Sequence, residues 1–225
     1  MIISAKKVVK KFKSGLGELI ALKGIDLEVK KGEFLAITGR SGSGKSTLLY
    51  QLGLLDRPTS GDIFIEETNV STLSDIERTN MRLIELGYIF QDYAILPSLS
   101  AIENVTLPLL MMGLEAKEAK IKAESALNKV GLGERFNNLP SQLSGGEQQR
   151  VAIARAIGHD PKIIFADEPT ANLDNETSQL ILKAFMELHK EGQTIVMVTH
   201  EEEYATLADR VIGLSDGEII KDTKH

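Results

Sequence analysis

No cysteine occurs anywhere in this chain, which excludes disulfides and thiolate metal centres. The absence is compatible with a reducing compartment. Neither sign of charge dominates: 26 basic and 32 acidic residues are mixed along the chain and sum to a net charge of −6. There is no basic face of the kind that grips phosphodiester backbones, so no nucleic acid partner is expected. Long hydrophobic runs are missing too. The most apolar stretch, Val105 to Leu114, is too short to span a bilayer. Any service to a membrane must therefore be given from outside the lipid, through a partner. Met1 to Lys7 lacks an extended apolar segment behind its charges, so no signal peptide is expected. No internal repeat and no low-complexity linker is visible. With 225 residues and 42% hydrophobic content, the chain supports one sizeable core with a small lobe attached.

What is there begins with Gly39-Arg-Ser-Gly-Ser-Gly-Lys-Ser-Thr47, a match to the pattern G-x-x-x-x-G-K-[ST]. It follows the apolar run Phe34 to Thr38 and precedes a helix-like run, Ser46 to Leu52. Strand, glycine-rich loop, then helix is the context this pattern requires. Gly39, Ser41, Gly42, Ser43 and Gly44 supply successive backbone N–H groups that form a concave anion site, and the helix start adds partial positive charge. Lys45 reaches the terminal phosphates, the Ser46 hydroxyl is placed for Mg2+, and Thr47 continues the first turn.

Periodicity places the other elements. Ala5 to Phe12, Ile25 to Val29 and Gly61 to Glu66 read as strands, with a turn around Ser14 to Gly17. Ser74-Asp-Ile-Glu77 and Ser100-Ala-Ile-Glu103 are capping boxes, the first opening a helix that runs to about Leu86. Ala116 to Val130 reads as a helix, so residues 92–143 form a mainly helical insert. Lys162 to Ala166 and Thr194 to Val198 are near-continuous apolar runs, suited to a parallel sheet covered on both faces. Helices are expected over Glu176 to His189 and Glu201 to Leu207. The fold class is α/β: a P-loop NTPase core with a mainly parallel sheet, a small antiparallel β lobe and a helical insert. The ligand belongs at the carboxyl ends of the strands.

Polar residues at strand ends carry the chemistry. Asp167 and Glu168 close an apolar strand. Beside a phosphate loop, Asp167 is assigned to the metal and Glu168 to the attacking water. His200 ends the Thr194 to Val198 run at one residue's remove. It is either a ligand of the terminal phosphate or an ordinary surface histidine. Gln91 follows Gly87 to Phe90 and is either a reporter on Mg2+ and water or a solvated amide. Leu143-Ser-Gly-Gly-Glu-Gln-Gln-Arg150 fits a helix start at Ser144 whose glycines, Gly145 and Gly146, expose backbone N–H groups. The string alone does not say whose phosphate it would meet.

Taken in order, these motifs resemble those of the ABC-transporter ATPase subunits over essentially the whole chain. Gly39 to Ser46 corresponds to Walker A, Gln91 to the Q-loop and Leu143 to Glu147 to the signature. Ile163 to Glu168 corresponds to Walker B, Ala171 to Asp174 to the D-loop and His200 to the switch histidine. The resemblance implies one ABC ATPase domain over 1–225, with a nucleotide-binding core and β lobe (1–91 and 144–225) and a helical subdomain (92–143). It implies ATP with Mg2+ held by Ser46, Gln91 and Asp167, and hydrolysis through Glu168, His200, Gln91 and Lys45. It implies an ATP-dependent head-to-tail homodimer, in which Ser144, Gly145 and Gly146 contact the nucleotide of the other copy and Asp174 couples the sites. Phe12 stands where the family stacks an aromatic on adenine, or else it packs as a strand residue in the small lobe. Glu147 replaces the family's usual glutamine.

Leu54 to Gly61, Phe90 to Pro97 and Glu103 to Leu109 are similar to the MacB/LolD/FtsE-like group. That likeness implies an integral membrane permease or a MacB/LolC/FtsX-like subunit as partner. It implies export, lipoprotein release or mechanotransmission, and a cytoplasmic, peripheral place on the inner face of the cell membrane. Tyr93, Leu96 and Pro97 are the docking candidates, or else the apolar underside of the insert. An FtsE-like signalling ATPase controlling cell-wall enzymes is the alternative within the family. A soluble, non-transport ABC protein is the alternative outside it.

Overall fold

The computed structural model describes residues 1–14 and 17–225; Gly15 and Leu16, at the centre of the expected first turn, lie outside the described residues. In chain order the elements are β1 (Ile3–Ser14), β2 (Gly17–Val29), β3 (Phe34–Thr38), α1 (Lys45–Leu52), β4 (Ser60–Ile65), β5 (Thr68–Asn69), α2 (Asp75–Glu85), β6 (Leu86–Ile89), α3 (Ala101–Met111), α4 (Ala116–Lys129), a 3-10 turn (Pro140–Gln142), α5 (Gly145–Ile157), β7 (Ile163–Asp167), α6 (Asn175–Lys190), β8 (Thr194–Val198), α7 (Glu202–Ala205), β9 (Arg210–Ser215) and β10 (Glu218–Lys224). The chain divides into two compact units, Met1–Asn80 with Glu191–His225, and Met81–Lys190.

The first unit holds an antiparallel sheet in the order β2-β1-β4-β5. In β4, Ile63 and Ile65 point inward and their neighbours do not, which is the period of a strand with one wet face. The same unit holds β3, paired in parallel with β8 on one side and β9 on the other. Phe34, Leu35, Ala36 and Ile37 are all fully buried, as are Ile195 to Val198, so both faces of these strands are covered. That explains why they read as unbroken apolar runs. β9 and β10 form a hairpin that sequence periodicity did not single out. Its turn is Asp216-Gly217, both left-handed (φ 47 and 77), the pairing a type I′ hairpin favours. Asp-Gly is a hairpin signal that apolar periodicity does not carry.

The second unit holds the parallel pair β6 and β7 and the helices α3 to α6. Ile163 to Ala166 of β7 are buried on both faces. All three Ser-x-x-Glu boxes close as expected. The N–H of Glu77, Glu103 and Glu147 donates to the hydroxyl of Ser74, Ser100 and Ser144, and each glutamate accepts the serine N–H at 2.8 Å. A cap of this kind is worth about 1 kcal/mol. Two expectations need correction. The strands of the first hairpin run longer than Ala5–Phe12 and Ile25–Val29, because β1 and β2 pair along their whole length through bulges. The expected Glu201–Leu207 helix is only the single turn α7, which ends where the Thr206 N–H closes back on the carbonyls of Glu202, Glu203 and Tyr204. Among the described residues, no helix is long and apolar enough to cross a membrane.

One buried cation was invisible in the sequence. Arg78, 3% exposed, donates to the carbonyls of Leu54 (2.9 Å), Asp56 (2.7 Å) and Val70 (3.4 Å), and so ties down the turn after α1.

Burial also makes a histidine acid-sensitive. His159 follows α5, its Nε2 lies 3.2 Å from Leu86 O, and its Nδ1 is buried without a hydrogen bond. Burial pushes its pKa down, against weaker upward effects of that carbonyl and Asp160. The unfolded imidazole takes up a proton near pH 6.5, and the folded one resists it. Stability is therefore complete above about pH 6.5 and is lost as pH falls from there toward the lowered folded value. We expect the urea midpoint to fall between pH 7.5 and 5.5, and His159→Gln to flatten that slope. An unchanged slope in His159→Gln would assign the acid sensitivity elsewhere.

Candidate functional site

The first unit carries the phosphate loop between β3 and α1. Gly39 and Gly44 adopt φ of 151° and 102°, and a Cβ on Gly39 would collide with Leu214 O and stand 2.7 Å from Ser43 Oγ. At Gly44 a Cβ would stand 2.7 Å from Ala21 O. Both positions are closed to any side chain, which is why the loop needs glycine there. The β9–β10 turn supports the loop from below, Gly217 N donating to Ser43 O at 3.0 Å.

Lys45 is 6% exposed, and its ammonium donates to Gly39 O (2.9 Å) and Arg40 O (3.2 Å) of its own loop. Buried behind the loop, the lysine side chain sets a basic group where the phosphates of an arriving anion would lie. Nothing stands within 4 Å of where a Cβ of Gly42 would be, and Ser43 Oγ is buried without a hydrogen bond. Gly44 caps α1 with no side-chain bond, leaving the helix start to backbone N–H groups, and Ser46 and Thr47 are half-buried in its first turn. Ser41 is exposed on the rim. An oligophosphate fits this arrangement in charge and in access.

His200, just past β8, lies on the wall of the same cavity as Thr38, Gly39 and Arg40, a space of about 470 Å³. Its side chain is half exposed, with Nε2 3.4 Å from Glu201 Oε1. The structure thus brings the loop and the histidine together within one unit. Phe12 pairs with Leu19 across the first hairpin and is 41% exposed, with Lys10 Nζ 5.1 Å from its ring centroid. Its ring is therefore not core packing of the small lobe.

The remaining site residues lie in the second unit. Asp167 ends β7 and is 7% exposed. Glu168 follows in a left-handed conformation (φ 45), an uncommon state for a non-glycine residue that turns the chain sharply at the strand tip. Gln91 is exposed beyond β6, and its carbonyl accepts from Asn172 Nδ2 at 3.0 Å. Asp174 caps α6, taking Thr177 N and Thr177 Oγ at 2.9 Å each, and the Thr177 N–H foremost holds its carboxyl below the usual range.

At the start of α5, Ser144 is the cap, and Gly146 packs so closely on Thr177 that a Cβ would collide with it. Gly145 sits under the Tyr93 hydroxyl, which would stand 2.8 Å from a Cβ there. Glu147 closes the box and also accepts from Arg135 at 3.1 Å. The Ser144 N–H, ahead of Arg135, holds its carboxyl below the ordinary value. A glutamine would close the box but form no ion pair, which gives the glutamate a local reason to be there.

The sequence pattern of the ABC transporter family matches residues 22–171. The lipoprotein-releasing system ATP-binding protein LolD of Aquifex aeolicus (strain VF5) is 50% identical over 199 residues, covering 88% of this chain and 89% of that protein. A macrolide export ATP-binding/permease protein MacB, from Hyphomonas neptunium, is 48% identical over 222 residues, which is 99% of this chain but 34% of that longer protein. Among solved structures, the ATP-binding cassette MJ0796, in a dimeric post-hydrolysis state bound to ADP and Pi, superposes with a TM-score of 0.92 at 42% identity, covering 99% of this chain and 98% of that one. With the phosphate loop, the strand-end acids and the signature helix in place, the chain belongs to the ABC transporter family as an ATP-binding ATPase subunit.

Proposed function

We propose that this chain is the ATP-hydrolysing motor of a membrane complex in export, lipoprotein release or mechanotransmission, working as a head-to-tail homodimer. The observation that carries the reading is the buried Lys45 ammonium behind an open glycine cradle. In this reading the cradle binds the phosphates of ATP and Phe12 stacks on the base. Ser144, Gly145 and Gly146 close over the nucleotide of the second copy, and Asp174 lies at the joint between the two sites. Ser46, Asp167 and Gln91 offer a hydroxyl, a carboxylate and an amide, the hard oxygen donors that Mg2+ accepts. The ion would offset phosphate charge. Glu168 takes the proton of the attacking water and His200 orients that water. Tighter binding of ATP than of ADP by the closed dimer would supply the work. Residues 92–143 act as a helical subdomain set into a core formed by 1–91 and 144–225, one ABC ATPase domain in all.

An apolar groove of about 300 Å³ in the second unit supports the membrane role. Leu86, Phe90, Leu96, Leu107, Pro108 and Met111 line it. We assign it to a cytoplasmic segment of an integral membrane permease or a MacB/LolC/FtsX-like subunit, with the chain peripheral on the inner face of the cell membrane. Of the three docking candidates, Leu96 lines the groove and Tyr93 turns its hydroxyl toward Gly145. Leu107→Asp combined with Met111→Asp should keep basal ATP turnover and lose co-purification with the integral membrane protein from detergent-solubilised membranes. Retained co-purification would remove the groove as the docking site.

A further inference from the structure

The segment that carries Gln91 is gripped through its backbone. Tyr93 and Ala94 are both left-handed (φ 63 and 47), and Arg155 of α5 donates to the carbonyls of both. Asn172 holds Gln91 O. Gln149, also on α5 and fully buried, donates from Nε2 to Pro169 O at 2.7 Å and, more loosely, to Phe90 O at 3.4 Å. Phe90 also accepts Tyr93 N at 3.2 Å. Phe90 immediately precedes Gln91, and Pro169 immediately follows Glu168. One amide nitrogen thus bridges the residue before the metal-side glutamine and the residue after the base.

Packing does not account for this side chain. Gln149 Oε1 is buried with no hydrogen bond, a cost that an apolar residue of the same size would avoid. What an apolar residue would lose is the bridge. The left-handed φ of Glu168 adds to the argument, because a conformation of that kind persists only where the surroundings hold it. α5 also begins at the signature residues Ser144 to Gly146, so the helix that carries Gln149 meets both strand tips and starts at the surface assigned to the second nucleotide.

We infer that Gln149 is a positioning residue for ATP hydrolysis, setting Gln91 against Glu168 through the carbonyls of Phe90 and Pro169. It touches no reacting atom, and the inference rests on the roles proposed for Gln91 and Glu168. Gln149→Leu should lower kcat about tenfold to a hundredfold, the scale of one or two lost hydrogen bonds in the transition state, with the Kd for MgATP within about threefold of the parent. Gln91→Ala should cost much less in the Gln149→Leu background than in the parent, because Gln91 has already lost its placement. Gln149→Glu, whose carboxyl can donate one bond only when protonated, should regain activity relative to the parent as pH falls, and Gln149→Leu should not.

Unchanged kcat in Gln149→Leu, or strictly additive effects with Gln91→Ala, would overturn the inference. If Gln149→Leu melts early, the pH profile of Gln149→Glu decides instead, and a flat profile rejects the bridge. Glu168→Gln is assayed in parallel. Parental turnover there removes the base assignment and the inference with it, whereas a dead Glu168→Gln beside a fully active Gln149→Leu removes only the inference.

Discussion

Glu168→Gln should lose steady-state ATP hydrolysis by about a thousandfold, while ATP affinity stays within a few-fold of the parent. The substitution replaces one carboxylate oxygen by an amide nitrogen, so shape and the left-handed backbone at φ 45 are kept. What disappears is the capacity to accept a proton from water. A positioned general base contributes roughly 10²- to 10⁴-fold, and the expected loss sits in the middle of that range. No residue of the phosphate loop is changed, so binding survives. On the proposed cycle, in which the closed dimer opens after hydrolysis, the variant should accumulate as a dimer on gel filtration with ATP and run as a smaller species with ADP. Burst and steady-state phosphate assays provide the rate. Turnover within tenfold of the parent would sink the assignment of Glu168, and a fully active monomer would sink the dimer with it.

Lys45→Met should weaken ATP binding by about a hundredfold or more, read by calorimetry with MgATP. Charge-assisted bonds to a phosphate in a desolvated site are worth about 3 kcal/mol, and tenfold in Kd corresponds to about 1.4 kcal/mol. The structure adds a second consequence. Because the ammonium holds Gly39 O and Arg40 O, its removal strips both carbonyls of a donor and costs roughly 1–3 kcal/mol of stability even without nucleotide. The variant should therefore melt lower than the parent in the absence of ATP, and its melting temperature should not rise on addition of MgATP. A melting temperature that still climbs with MgATP would show that the cradle binds without its lysine. Lys45→Arg is no conservative control, since it puts a larger planar guanidinium in place of a compact ammonium at a buried position.

How much of this was legible from residues alone depends on how far apart in the chain the interacting groups lie. The three capping boxes were readable because serine and glutamate stand three positions apart and satisfy each other's N–H groups locally. The apolar strands β3, β7 and β8 were readable because burial on both faces demands an unbroken hydrophobic run. The β9–β10 hairpin was equally local, and its Asp216-Gly217 turn could have been found. Arg78 could not. Its three carbonyl partners lie 8 to 24 positions away, and a lone arginine in an amphipathic helix has no signature that separates it from a solvated one.

The phosphate cradle, the strand-end acids, the signature helix start and hence the family could be read from residues alone, because each rests on neighbours in the chain whose backbone geometry follows from glycine, capping and periodicity. It took the folded chain to show that Lys45 rests on its own loop, that Phe12 lies outside the core, that a groove opens beside α3, and that Gln149 ties Phe90 to Pro169 across 59 and 20 positions. Gln149 and its partners share no local pattern, and packing alone brings them within reach. The Lys45 contacts, 5 and 6 positions apart, stayed hidden because no pattern says where a flexible ammonium points.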